Sequence, residues 1–115
     1  MLEAYIKSLA ETIDKLETLE EKLENNIDYK DDLVSCINAV NDTIGMLFRL
    51  FTDDIAAQVG FKKEYIIQIL KDWMDGIENN DRVLLLDTMR YGLIEEFDRD
   101  ISILTEIEKA MEDNK

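Results

Sequence analysis

The chain has 115 residues and a formal net charge of −14, from 27 acidic and 13 basic side chains. So strong an acidic balance disfavours nucleic acid and anionic membrane surfaces, which need clustered Lys and Arg. Histidine is absent, which excludes histidine-dependent triads and the Glu-x-x-His iron sites of ferritin-like bundles.

The chain contains no proline and four glycines, so long uninterrupted helices are allowed. Leu2, Ile6, Leu9, Ile13, Leu16, Leu19 and Leu23 recur at steps of three and four. They define one apolar face of a first helix that fades near Glu24 to Asn26. The opening "MLEAYIKSLAETIDKLE" is already amphipathic and acidic, unlike a secretory leader. Leu33, Ile37, Val40, Ile44, Leu47 and Phe51 form the stripe of a second helix, and Val34, Met46, Phe48 and Leu50 widen it. That helix is expected to continue to a C-terminal glycine at Gly60. The alternative is a break at Thr52, with its hydroxyl capping a new turn ahead of Asp53 and Asp54, which would give five helices. Cys36 is the single cysteine, so no intramolecular disulfide forms. Its neighbours Val34 and Ile37 suggest a buried, inert thiol, reduced in the cytoplasm.

A third helix is expected over "FKKEYIIQILKDWMDGI", with Phe61, Tyr65, Ile66, Ile69, Leu70, Trp73, Met74 and Ile77 forming a broad stripe. The polar link "ENND" then offers Asn80 or Asp81 as a cap. A fourth helix continues to about Met111, with Val83, Leu86, Arg90, Leu93, Phe97, Ile101, Leu104, Ile107 or Glu108, and Met111 on one face. The closing "EDNK" should fray. The whole reads as one all-α domain, 1–115, an antiparallel up-down four-helix bundle. No run approaches the ~18 uncharged apolar residues of a membrane span.

The first half of the fourth helix is apolar over most of its circumference. Such a helix is enclosed by its own bundle, or it meets a partner. The Leu85 and Met89 flank, with Arg90 and Tyr91, is therefore the candidate interface, either a homodimer seam or a groove for another protein. A buried Arg90 needs an anion, and Asp87 is the nearest within its own helix.

Carboxylates are the remaining candidates for chemistry. Asp72 and Asp75 share one helix face, and Glu95 and Asp98 share another. The set looks like the Glu-x-x-Glu then Glu-x-x-Asp scheme of all-helical nucleotide pyrophosphohydrolases, with Asp-x-x-Asp in place of the first pair. That resemblance implies Mg²⁺ held between two helices, although the register across the short link is unfavourable. In "DWMDGIENND" the offsets of an EF-hand fail, because Met74 and Gly76 occupy ligand positions. Phe48, Phe51, Phe61, Tyr65 and Trp73 could line a ligand pocket, but aromatics at helical spacing more often form core.

The stretch "IENNDRVLLLDTMRYGLIEEF" resembles the closing hairpin of a family of small acidic helical-bundle proteins from Firmicutes. Asp81, Val83, Leu84, Leu85, Asp87, Tyr91 and Leu93 carry the likeness, and "IIQILKDWMDGI" is similar to that family's penultimate helix. Where the family has an acidic residue between the tyrosine and the leucine, this chain has Gly92. The resemblance implies a helical bundle in a bacterial, intracellular setting and no activity. Function is thus expected through protein–protein contact, with no catalysis and no cofactor. The alternatives are a Mg²⁺-dependent hydrolase and a small-ligand binder.

Overall fold

A computed structural model describes residues 2–113, and all its regular structure is helical. The helices are α1 (Glu3–Glu24), α2 (Lys30–Leu50), α3 (Asp53–Val59), α4 (Lys63–Glu78), α5 (Arg82–Thr88) and α6 (Glu95–Asp113). A π-helical segment, Met89–Ile94, joins α5 to α6 without interruption, so the last three pieces form one long helix. The molecule is elongated, 51 × 23 × 19 Å.

Side-chain pairs fix the helix directions. Between α1 and α2, the Thr12 and Thr43 hydroxyls hydrogen-bond at 2.8 Å, and the Cys36 thiol donates to the Lys15 carbonyl at 3.2 Å. Lys22 pairs with Asp32. Partner numbers fall on one helix as they rise on the other, so the two run antiparallel. Between α4 and the last helix, Gly76 faces Leu85 and Gly92 faces Ile69, which is again antiparallel. Arg90 meets Glu20 and Glu24 near the C-terminal end of α1. α6 starts just beyond Arg90 and packs along α1, so it must run back toward the α1 N-terminus.

The stripe of α1 holds: Leu9, Leu16, Leu19 and Leu23 are fully enclosed, with Leu2 and Ile13 also buried and Ile6 packed against them. So does the centre of α2, where Val40, Ile44, Leu47 and Phe51 are buried. Flanking Val34, in contrast, is exposed.

The second helix does not continue to Gly60. It ends at Leu50, and Thr52 starts α3 with extended backbone but no side-chain cap bond. Register supplies the reason. Thr12 faces Thr43, so the first residue of α1, Glu3, lies level with Thr52. Beyond that point α2 would have no α1 to pack on. The chain turns instead, and the Phe51 ring meets the Phe61 ring at 4.6 Å. Gly60 does close a helix, now α3, with φ of 76°.

Three helices end in the same way. Asn26 (φ 56°), Gly60 and Asn80 (φ 51°) are left-handed, and the next amide reaches back five residues: Ile27 to Lys22, Phe61 to Ala56, Asp81 to Gly76. This is the Schellman arrangement, in which Asn substitutes for Gly. In the two hairpins the preceding asparagine, Asn25 or Asn79, also donates its side-chain amide to the carbonyl four residues back. Asp81 then caps α5, accepting from the Leu84 amide at 3.1 Å, as its position after the polar link suggested.

The last helix departs most from its expected face. Its buried stripe is Leu85, Met89, Leu93 and Phe97, then Asp100 and Leu104, whereas Val83 is 69 % exposed and Met111 is exposed. Leu86 is half-buried. In an ideal α-helix, each step of four overshoots a full turn by about 40°. Three such steps in a row would carry the stripe off its partners. The wider π turn absorbs that drift and keeps all four side chains inward. α6 remains helical through Asp113, so the fraying expected at Glu112 and Asp113 is not seen; Asn114 and Lys115 lie outside the described residues.

The hairpin of α4 with α5 and the π segment is closely packed. A Cβ on Gly92 would sit 2.9 Å from Ile69 Cγ2, and one on Gly76 would sit 3.2 Å from the Leu85 side chain and backbone. The Gly92→Ala protein is expected to lose about 1–3 kcal/mol of stability through overpacking at Ile69. Urea unfolding checks this, and pairing the change with Ile69→Ala, which removes Cγ2, should cost less than the two single losses added together.

Candidate functional site

Close approach at Gly92 leaves a groove of about 250 Å³ between α4 and the start of the last helix. Its floor is Ile69, Thr88 and Gly92, all buried. One bank, from α4, carries Tyr65, Gln68 and Asp72; the other carries Asp87 and Tyr91. Tyr65 is 49 % exposed and Tyr91 63 %. On the antiparallel register the tyrosines lie toward one end and the aspartates toward the other. Gln68 donates to Asp72 at 2.9 Å. Neither Asp72 nor Asp87 has a cationic partner among the described residues. The groove therefore offers two aromatic faces and two uncompensated carboxylates. A cationic side chain suits both, by cation–π contact and by charge.

The four expected interface residues separate into two environments. Leu85 and Met89 point inward, with 2 % and 0 % exposure, on the face that α5 and the start of the π segment turn to the core. Of the two readings open for that flank, enclosure within its own bundle is the one this burial fits. Arg90 and Tyr91 remain accessible, half-buried and exposed respectively. The anion for Arg90 is also not Asp87. Its Nε donates to Glu20 Oε1 at 2.6 Å, and its terminal amino group meets Glu24. An arginine chosen by sequence as an interface residue thus fastens the π segment to α1.

Asp72, Asp75, Glu95 and Asp98 are not brought together, and no group of three or more His, Cys, Asp or Glu among the described residues could hold a metal. The antiparallel register is the cause. Ile69 lies opposite Gly92, so Asp72 and Asp75 lie toward the α5 end of the hairpin while Glu95 and Asp98 lie beyond Gly92 in the other direction. The three phenylalanines of the aromatic set close one end of the core. Phe61 stacks tilted on Phe51 and meets Phe48 edge-on at 6.1 Å, and Phe51, Phe61 and Trp73 are buried. Tyr65, the exposed member, belongs to the groove.

Cys36 is 1 % exposed, and burial, reinforced by Asp32, pushes its thiol up to about 11. It should therefore react with a thiol reagent only as the protein unfolds, with a rate that tracks urea stability; fast labelling of the native protein would contradict this.

Sequence reasoning missed one buried pair. Glu96 and Asp100 lie one turn apart on the inner face of α6, 4 % and 0 % exposed. Glu96 Oε2 and both Asp100 oxygens have no hydrogen-bond partner. Acidic residues at i and i+4 on so acidic a chain read as solvated surface, and only the phase shift of the π turn brings them inside. No described helix is long and apolar enough to cross a membrane. No protein-family model, curated protein or solved structure matches the chain.

The Arg90 tether is open to a double-mutant cycle. Arg90→Met should cost about 1–2 kcal/mol, as for a partly exposed charge-assisted bond, and a Glu20→Gln/Glu24→Gln background should remove most of that difference.

Proposed function

We propose that the protein acts through protein–protein contact, docking a basic segment of a partner in the groove between α4 and the π segment. The observation that carries this reading is the pair of uncompensated carboxylates, Asp72 and Asp87, set beside two exposed tyrosines. A lysine or arginine laid between Tyr65 and Tyr91 gains cation–π attraction, and a second cation meets the aspartates. The net charge of −14 would steer such a segment toward the surface and repel acidic competitors. Adaptor, chaperone-like and regulatory roles all use a contact of this kind.

In this proposal the fold is an antiparallel up-down four-helix bundle of α1, α2, α4 and the last helix, with α3 as a cross-link at one end. Pairwise antiparallel packing supports it. The proposal places the chain in a bacterial cytoplasm, in keeping with its resemblance to the Firmicutes bundles and with a single, buried cysteine. Self-association through this helix would use Tyr91 and its exposed surroundings, since Leu85 and Met89 are enclosed.

A test uses a lysine- and arginine-rich peptide, with a glutamate-rich peptide of equal length as control, followed by amide NMR shifts. The basic peptide should shift residues around Tyr65, Asp72, Asp87 and Tyr91 in low salt. The Asp72→Asn/Asp87→Asn protein should bind it on the order of tenfold more weakly, the scale of about 1.4 kcal/mol. Shifts spread evenly over the acidic face of α1, and unchanged binding by the double variant, would defeat the reading.

A further inference from the structure

Glu96 and Asp100 stand apart from the groove and have no part in its proposed role. They occupy successive turns of α6, in the middle of the stripe that packs the last helix into the core. Three of their four carboxyl oxygens are buried without a partner. One cation approaches them: Arg99 Nη1 lies 3.8 Å from Glu96 Oε1, while its other amino group donates to the Gly60 carbonyl at the α3–α4 corner. A single shared, partly exposed guanidinium cannot compensate two buried carboxylates. Two such groups side by side resist double ionisation, so one of them keeps its proton.

We propose that Glu96 and Asp100 form a one-proton latch, in which the proton held between the two carboxyls keeps α6 packed and its loss releases α6 from the core. Asp100 holds that proton. Burial comes first among the causes, followed by the Glu96 carboxyl one turn away, and together they raise its carboxyl to about 9; Arg99 opposes the shift. Among the described residues no other charged side chain is buried. On α1, the neighbouring Lys7, Glu11 and Asp14 are exposed, as are Asp53 and Asp54 on α3, Lys62 in the α3–α4 link and Arg49 on α2. Lys63, on α4, is engaged with Asp53. Once ionised, Asp100 has no buried partner to turn to, and the nearest relief is water. Reaching it means lifting the α6 turn that carries Phe97 and Leu104, together with the Arg99 contact at Gly60.

The sign of the pH effect follows from linkage. In the unfolded chain this carboxyl titrates near about 4. Between there and about 9 the folded protein holds a proton that the unfolded chain has lost. Stability contributed by the pair is therefore greatest in mild acid, falls as pH rises across that window and levels off above it. Repulsion among the other carboxylates has the same sign, so the test is a difference between proteins.

Asp100→Asn keeps the shape and removes the charge. It should match the wild type in urea midpoint at pH 4.5 and exceed it increasingly toward pH 9. Hydrogen exchange at pH 9.5, corrected for its intrinsic rate, should show lost protection across residues 96–104 in the wild type and retained protection in the variant. Carbon-13 observation of the side-chain carboxyls should find Asp100 protonated at pH 7. A constant offset between the two proteins at every pH would overturn the latch. So would an Asp100 carboxyl ionised at pH 7, or α6 protection unchanged in the wild type after Asp100 ionises. If Asp100→Asn fails to fold, Glu96→Gln gives the same comparison, with the Asp100 titration moved downward.

Discussion

The last helix has to satisfy two neighbours in succession, and the π turn makes that workable. α4 is sixteen residues long and covers the early part of the last helix. α1 covers α6 beyond it. A strictly α-helical chain with inward side chains at Leu85, Met89, Leu93 and Phe97 would wind its stripe away from both. Widening one turn keeps the stripe straight through the handover. The cost is a local loss of α-helical hydrogen bonding, and close packing on both sides of the turn offsets it. Gly92 lets Ile69 approach, and Arg90 reaches Glu20 and Glu24. The groove lies over this same turn, so its geometry depends on the re-phasing.

Charge acts on the fold in opposite directions at different depths. At the surface, a large acidic excess repels itself, and the few ion pairs among the described residues are partly exposed and individually weak. Inside, the contacts that orient helices are mostly neutral and short in reach: the Thr12–Thr43 hydroxyl pair, the Cys36 thiol on the Lys15 carbonyl, and glycine against Leu85 or Ile69. Such contacts specify register without depending on salt. The Glu96–Asp100 pair is the exception, a polar element placed where its surroundings cannot solvate two charges. Trp73 adds a smaller one, because its indole N–H is buried without a partner.

Much of the fold was legible because most of its helices follow an undisturbed 3.6-residue period. The stripe of α1 and the centre of α2 read correctly from spacing alone, and Gly60 and Asp81 read correctly as punctuation. What failed involved distance rather than period. The α2 break at Thr52 was one of two readings left open by local signals, and what decides it is where α1 begins in space. The inner face of the last helix depends on a change of pitch, which the pattern of apolar residues suggests only through its repeated steps of four. One signal was present and unread. The Asn-Asn pair after Glu24 and again after Glu78 marks both hairpins with the same left-handed end. The groove was legible only in part. Tyr91, Asp72, Tyr65 and Asp87 were each singled out for another role, and they come together only because antiparallel register sets the two helices side by side.

The same pitch change explains why an acidic pair can be buried in a chain this acidic. Leu93, Phe97, Asp100 and Leu104 share the inward face, and Glu96 is carried in beside Phe97. Restoring α-helical pitch between Met89 and Ile94 would turn α6 relative to α5, so that the leucines of α5 and the carboxyls of α6 could not both face the core. The π turn thus ties the hydrophobic packing of one half of the helix to the electrostatics of the other.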